Sequence, residues 1–465
     1  MNAVSEFFSI EQFSDEVVLG RGETWDCLDV LNPSVIFYKD QWLNYYSGWD
    51  GRVWRTGLAV SRDGRTWEKQ EQPLLDIRED EWDNTYIAAN GSAVVYQDKV
   101  YYYYHGMSSS AGRSEIGLAI SEDGFHFDER TDVPVLRSGT NGTWDCNGVA
   151  DPYVIEFGGK LYMYYLGMDE VNVQRLGVAV SEDGYVWTKY ANNPIMDVGV
   201  AGAFDENGLG EPSVVYYAPY FYMLYTGRSS QEQRNIGVAV SRDGVHWKKL
   251  CYQGIIDLAS NTWDNQVICD TTLWPEDDGT FSVWYGGGDV ADPAQNLNGQ
   301  IGCFVISFAG TGGITQFDAN TWNDDEIAST EMIAGSYPLE GEAGSQTAWV
   351  SERTSVVLQN DPDADMIAIS GYLPMNLFNQ ARIDEVSIHA YINRIEAGSY
   401  TAKESGTFQI LISKDVLDSD YLLLEMNTSA YVNPKAEGLG VDERNLCWLL
   451  DSILQYDSDG VMNTP

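Results

Sequence analysis

Basic residues are scarce in this chain. Over 465 residues, 27 lysines and arginines stand against 70 aspartates and glutamates, a formal net charge of −43. A field of that sign repels nucleic acid and anionic membranes, which excludes both as expected partners. The acids are spread along the chain rather than gathered in a tail, as on a solvated surface. Cysteine is sparse too, with six residues at positions 27, 146, 251, 269, 303 and 447. None forms a CxxC pair, and no Cys/His cluster has zinc-ligand spacing. Scattered reduced thiols are therefore expected. No apolar run approaches the roughly 18 residues of a membrane span, so no membrane insertion is expected. The opening stretch MNAVSEFFSIEQFSDEVVLG has neither a basic n-region nor a continuous apolar h-region. A cytoplasmic setting is the expectation, unless a leader has been removed.

Aromatic residues are plentiful: 15 tryptophans and 29 tyrosines suit β-strands. They also mark an internal repeat, the feature that decides architecture. GLAVSRDGRTW (57–67), GLAISEDGFHF (117–127), GVAVSEDGYVW (177–187) and GVAVSRDGVHW (237–247) follow one another at intervals of 60 residues. A degenerate fifth copy begins at Gly302. Upstream of each lies an aromatic-Asp pair: Trp25-Asp26, Trp82-Asp83, Trp144-Asp145, Phe204-Asp205 and Trp263-Asp264. Next comes a strand opening on a polar residue, then a second strand ending in glycine (YYSG, YYHG, YYLG, LYTG, WYGG). Each unit thus reads as four antiparallel strands, with Asp-Gly supplying one hairpin turn. Five such units predict an all-β fold, a five-bladed β-propeller. It is expected over residues 21–330, with residues 1–20 an extension suited to closing it.

The innermost strands of a propeller line its central channel. The polar residues opening those strands, Asn32, Asn90, Asp151, Glu211 and Asp270, should therefore form a ring at one mouth. Three carboxylates around one aperture repel one another, so at least one should hold its proton at neutral pH. Glycoside hydrolysis needs such a pair, one acid and one carboxylate. The plainer alternative is that these acids cap strand starts or hold waters or an ion. His105, Trp49, Trp54 and Trp274 are candidates for sugar contact, although packing between blades explains any one tryptophan as well. Arg55, Arg113, Arg175 and Arg234 recur before the third strands and read as structural partners of acidic loops.

The chain resembles the five-bladed propeller glycosidases over about residues 20–310. These include the arabinanase and xylosidase group of glycoside hydrolase family 43, the invertase and levansucrase group, and the mannoside phosphorylases of family 130. The resemblance implies Glu211, in GEPSVV, as general acid and Asp151, in ADPYVI, as the carboxylate that orients substrate and tunes its pKa. Those two and Asn32 stand close to the family spacing, with 119 residues from Asn32 to Asp151 and 60 from there to Glu211. The chain departs at the first position, where LNPSVI places Asn32 in the role of the family's basic Asp. An amide cannot accept a proton, so Asp29 is the preferred base, with Asp26 and Asp270 as alternatives. Asn32, Asn90, Asp270, His105, Trp49 and Trp274 are then expected to bind substrate.

The resemblance implies a glycoside hydrolase acting on a furanoside or related linkage of an oligosaccharide or polysaccharide, inverting by analogy. A catalytically silent glycan-binding propeller and a glycan-building transferase or phosphorylase are the alternatives. The mannoside phosphorylases also open a blade with NP, but Tyr153 replaces the Arg of their DPR segment. No cofactor is expected, apart from a structural divalent cation such as calcium.

From residue 340 to 465 the pattern changes to short alternating runs, among them MIAISGYL, VSIHAYI and GTFQILIS, which predict a β-sandwich. The ending DERNLCWLLDSILQY reads as a last strand. It resembles the end of sandwich modules attached to bacterial surface-glycan enzymes, with Cys447 in place of their Gly.

Overall fold

A computed structural model describes residues 8–217, 220–276, 279–292, 295–308, 316–320, 333–341, 346–393, 395–414 and 421–458. Four consecutive four-stranded units follow the repeat. They are β2 to β5 (Asp29–Tyr38, Gln41–Trp49, Trp54–Ser61, Glu68–Lys69), β6 to β9 (Ile87–Tyr96, Lys99–Met107, Ser114–Ser121, Glu129–Arg130), β10 to β13 (Gly148–Phe157, Lys160–Met168, Gln174–Ser181, Thr188–Lys189) and β14 to β17 (Gly208–Tyr217, Tyr220–Arg228, Arg234–Ser241, Trp247–Lys249). The fifth unit holds β18 to β20 (Val267–Pro275, Thr280–Gly288, Gln300–Phe308). Its outer strand is β1 (Phe8–Leu19), antiparallel to β20. The start of the chain therefore completes the last blade, which closes the circle between the first and last repeats.

The repeated sequence explains the repeated geometry. In S-x-D-G, Ser61 Oγ accepts from Gly64 N at 3.0 Å while Asp63 Oδ1 accepts from Arg65 and Thr66 N. The same bonds recur at Ser121/Asp123, Ser181/Asp183 and Ser241/Asp243. Gly64 takes φ +70°, a conformation open to glycine at no steric cost. The aromatic-Asp pair buttresses each blade: a Cβ on Gly167 would lie 2.3 Å from the Trp144 ring. Asp145 beneath it accepts from Lys189 of the outer strand. Lys69–Asp26, Arg130–Asp83 and Lys249–Asp205 repeat that ion pair.

The chain divides into two compact units, residues 1–216, 222–240 and 249–309, and residues 217–221, 241–248 and 310–465. The second carries a nine-stranded sheet of β21 to β29 (Phe317–Asp318, Ile333–Glu340, Thr347–Gln359, Met366–Leu373, Val386–Ile392, Ile395–Ala402, Gly406–Ser413, Tyr421–Thr428, Leu449–Tyr456) with one short helix, α1 (Met375–Gln380). Tyr400 of β26 stacks on Phe408 of β27 at 4.8 Å, bringing the two ends of the sheet together. The resulting sandwich encloses Phe317, Phe378, Trp448 and Ile453. Phe317–Asp318 pairs with β29, so residues expected to fall within the propeller belong to this sheet. Among the described residues no helix is long and apolar enough to cross a membrane.

Candidate active site

The inner strands β2, β6, β10 and β18 each break register at the same place, between Leu31 and Ser34, Ala89 and Ser92, Ala150 and Tyr153, and Cys269 and Thr272. The residue at each break, and its counterpart in β14, has positive φ: Asn32 +50°, Asn90 +47°, Asp151 +47°, Glu211 +48° and Asp270 +55°. Asn and Asp tolerate this left-handed conformation better than other side chains, whereas Glu211 does so against its type. Bulges re-aim side chains, and they cluster beside functional sites. All five residues line one pocket of ≈190 Å³. A polar residue sits in an otherwise buried strand because the bulge turns it into the pocket.

A second circle of residues reaches the same pocket. Trp54, Ser114, Gln174 and Arg234 are the first residues of β4, β8, β12 and β16, and all four line it. This corrects the reading of one arginine, Arg234, and leaves Arg55 and Arg175 as the expected structural partners of acidic loops. Arg55 and Arg175 point away from the pocket and pair with Asp50 and Asp76, and with Asp169 and Asp197, at 2.6–2.8 Å. Arg234 stands one residue earlier in the repeat, and successive side chains of a strand face opposite sides. It is buried, with Glu211 and Asp270 facing it. Its Nη2 donates to the Asp292 carbonyl at 3.1 Å.

Charge decides how these groups titrate. Burial, and then the charge of Glu211, push the Asp151 carboxyl up to about 7, against a 3.3 Å hydrogen bond from Asn90 Nδ2 to its Oδ1. Burial and the Glu211 charge also hold Asp270 well above the carboxylate range, and its carboxyl is hydrogen-bonded to Glu211. Cys269 Sγ donates to Asp270 Oδ2 at 3.1 Å and the backbone N–H of Asn32 to the same oxygen at 3.3 Å. Burial opposes the charge on Arg234, and the facing Glu211 is the largest influence that offsets it. The pocket thus holds Asp270, which keeps its proton, Asp151, which titrates near neutrality, one further carboxyl group and the guanidinium groups of Arg234 and Arg228. His105, 7% exposed, also lines it. Burial lowers its pKa to about 4, so it is neutral, and neither ring nitrogen has a hydrogen-bond partner among the described residues.

Four expected site residues do other work. Asp29 is fully buried, and its carboxylate accepts from the Asn296 and Gly299 amides at 2.6 and 2.8 Å. It holds a loop and does not line the pocket. Trp49 is packed in the core, stacked on Trp54 at 5.2 Å. Trp274 lies further along β18 against Trp42, 4.7 Å between ring centroids, at the junction of the last and first blades. Asp26 is tied to Lys69 and Tyr46. The ligand atoms of Glu211, Cys269 and Asp270 lie within 4.8 Å of one another. This trio does not fit calcium, which takes six to eight oxygens, because it offers a thiol and carries Arg234 against it. Arg234, Arg228, Gln174, Ser114 and Tyr86 are five of the pocket residues that sequence reasoning missed. Aligning the residue three before each third-strand glycine would have found three of the five.

Comparison with known proteins agrees with this geometry. Residues 76–291 match the model of a family described as β-1,4-mannooligosaccharide phosphorylase. An uncharacterized protein of Mycobacterium tuberculosis (strain CDC 1551 / Oshkosh) is 26% identical over 258 residues, 52% of this chain and 83% of the relative. Among solved structures, one described as a glycoside hydrolase superposes with a TM-score of 0.53 at 19% identity, covering 65% of this chain and 94% of its own. A thermostable family-43 glycoside hydrolase gives 0.50 at 16% identity, covering 63% and 96%. A member of the GH130 family of mannoside phosphorylases, described as containing glycoside hydrolases that target β-1,2 mannosidic linkages in Candida mannan, gives 0.50 at 16%, covering 65% and 96%. The fold is thus the one shared by propeller glycoside hydrolases and glycoside phosphorylases, which the chain resembles. Within that class its central segment carries the likeness to the mannooligosaccharide phosphorylases.

Proposed function

We propose that this protein cleaves a glycosidic bond by phosphorolysis, with Asp151 as general acid. Asp151 passes its proton to the leaving oxygen as the glycosidic C–O bond breaks. An oxygen of inorganic phosphate bonds to the anomeric carbon, and the products are a sugar phosphate and a shortened saccharide. Arg234 carries this reading: it is a buried guanidinium facing the ring, suited to holding phosphate by paired hydrogen bonds. Arg228 lines the same pocket.

The acids argue in the same direction. Asn32 occupies the position of the hydrolytic base, and Asp29 is committed to backbone amides. Asp270 has a ligand oxygen within 4.8 Å of one on Glu211, whereas inverting hydrolysis sets its two carboxyl groups about 6.5–9.5 Å apart to admit water. A phosphate nucleophile needs no protein base. The family description favours a mannoside over a furanoside as the first substrate to try. Hydrolysis with Glu211 activating water is the second reading, favoured by Glu211 Oε2, which is buried without a hydrogen-bond partner among the described residues.

The test is incubation with β-linked mannooligosaccharides with and without inorganic phosphate. Phosphate-dependent release of mannose phosphate supports the proposal. Free mannose released equally in both reactions supports hydrolysis instead. Binding without turnover in either reaction leaves a glycan-binding propeller.

A further inference from the structure

The blades differ at one outer position, and the difference leaves a cavity. In the first blade Arg55 bridges Asp50 and Asp76, and in the third Arg175 bridges Asp169 and Asp197. The second keeps a pair of reversed polarity, Glu115 with Arg137 at 3.4 Å. The fourth blade places Ser229, Asn235 and Asp257 at the corresponding positions. Matching backbone bonds fix the alignment: Ile195 N to Leu176 O in the third blade corresponds to Ile255 N to Ile236 O in the fourth. Asn235 is folded onto the backbone, its Oδ1 accepting from Ile236 N at 2.8 Å and its Nδ2 donating to Ile256 O at 2.8 Å. Asn235 does not span the space that Arg55 and Arg175 bridge in their blades, and a cavity of ≈900 Å³ opens there.

Its lining is chemically distinctive in a chain with a net charge of −43. Gln231, Gln233, Gln253, Asn261, Asn265 and Gln266 face it, with Glu206, Asp257 and Arg234 as its charged residues. Gln233 Nε2 donates to Gln266 Oε1 at 3.2 Å, so part of this amide wall is already ordered. Asn261 Nδ2 is buried in the wall without an acceptor among the described residues. Side-chain amides both donate and accept, matching a neutral polyhydroxyl ligand. Arg234 lines this cavity and the central pocket alike. At ≈190 Å³ the central pocket lies below the usual range of about 300–1,000 Å³ for ligand sites, whereas the second cavity fills it.

We propose that this amide-lined cavity of the fourth blade receives the outer units of a neutral oligosaccharide whose cleaved end lies in the central pocket. The protein then acts on chains longer than a disaccharide. The inference rests on the reading of the central pocket as the site of bond cleavage, but it is tested by binding rather than turnover. Calorimetry on Asp151→Asn protein would compare disaccharides with pentasaccharides in β-linked mannose, glucose and xylose series. The expected result is a pentasaccharide about tenfold tighter than its disaccharide in at least one series. The double variant Ser229→Asp/Asn235→Arg rebuilds the ion bridge of the first and third blades. It should abolish the length advantage and leave disaccharide affinity unchanged. Asn261→Leu, a milder change, should reduce the advantage. Equal affinity at both lengths in every series, or an advantage that survives the double variant in folded protein, overturns the proposal. Turnover without a length effect removes the groove and keeps the catalytic reading, while a length effect without turnover does the reverse.

Discussion

Asn90 Nδ2 donates to Asp151 Oδ1 at 3.3 Å, linking the inner strands of the second and third blades. This bond favours the ionised carboxylate, while burial and the Glu211 charge favour the protonated acid and prevail, leaving Asp151 at about 7. A general acid must carry its proton, so activity should fall as pH rises through about 7. Asn90→Ala removes the bond and should move that alkaline limb to higher pH. Asp151→Asn should cost about 10²–10⁴-fold in rate. Rate profiles between pH 5 and 9 for the three proteins check this, and a flat wild-type profile counts against Asp151 as the acid.

The same protons link the site to stability. Asp151 and Asp270 are both raised in the folded chain, whereas an unfolded Asp titrates near 3.9. Between those values the folded state binds more protons than the unfolded state. Stability from these groups is therefore complete below about pH 4 and lost as pH rises through about 7 for Asp151 and higher for Asp270. Asp270→Asn keeps a neutral group of the same shape and should flatten that decline. Urea denaturation of wild type and variant at pH 5 and pH 8 measures the difference. Equal slopes would mean that Asp270 is ionised in the fold.

Arg234 and Arg175 give a paired test of opposite faces. Arg234→Gln takes the cation from Glu211 and Asp270 and should lower kcat/KM by about 10²–10³-fold, as when one charge-stabilising donor is lost. Arg175→Gln breaks two partly exposed ion pairs and should leave turnover unchanged. Initial rates across a range of phosphate concentrations distinguish them. Similar losses from both would place Arg234 in a structural role.

These arginines also mark where the sequence stopped being legible. The 60-residue repeat, the aromatic-Asp pairs and the Ser-x-Asp-Gly turns each carry a local physical signature, so the propeller and its ring of polar residues could be read directly. A repeat fixes position along a strand only to the nearest aligned residue. An error of one residue at Arg234 exchanged pocket for surface, because side chains alternate across a strand. Asp29 looked available because its partners, the Asn296 and Gly299 amides, come from a loop about 270 positions away. Trp274 has the right residue type but lies too far along its strand. The amide-lined cavity had no motif, since it arises from an ion bridge that the fourth blade lacks.

His105 separates packing from binding. An unpartnered polar atom in a buried site costs about 1–3 kcal/mol, and both His105 nitrogens are in that state among the described residues. His105→Leu should therefore leave stability unchanged or raise it by about 1 kcal/mol. If the imidazole contacts substrate, the same change should raise KM about tenfold, by the loss of roughly one hydrogen bond. Thermal melts and kinetics on one preparation read both effects. A destabilised variant with unchanged KM would make His105 a core residue.

Gly167 tests the buttress that holds each blade. Its missing side chain is where the Trp144 ring packs, and a Cβ there would lie 2.3 Å from that ring and 2.7 Å from Asp145 Cβ. Both neighbours are constrained: Trp144 also covers Gly177, and Asp145 is paired with Lys189. The ring cannot retreat without disturbing the ion pair, so Gly167→Ala should destabilise by about 1–3 kcal/mol, as overpacking does. Gly159 is the control, with φ +74° and open space where its Cβ would stand. There alanine meets only backbone strain, roughly 1–2 kcal/mol, and does not touch the Trp144 ring. Tryptophan fluorescence during urea unfolding distinguishes the two sites. Gly167→Ala should shift the native emission as well as the midpoint, whereas Gly159→Ala should shift the midpoint alone.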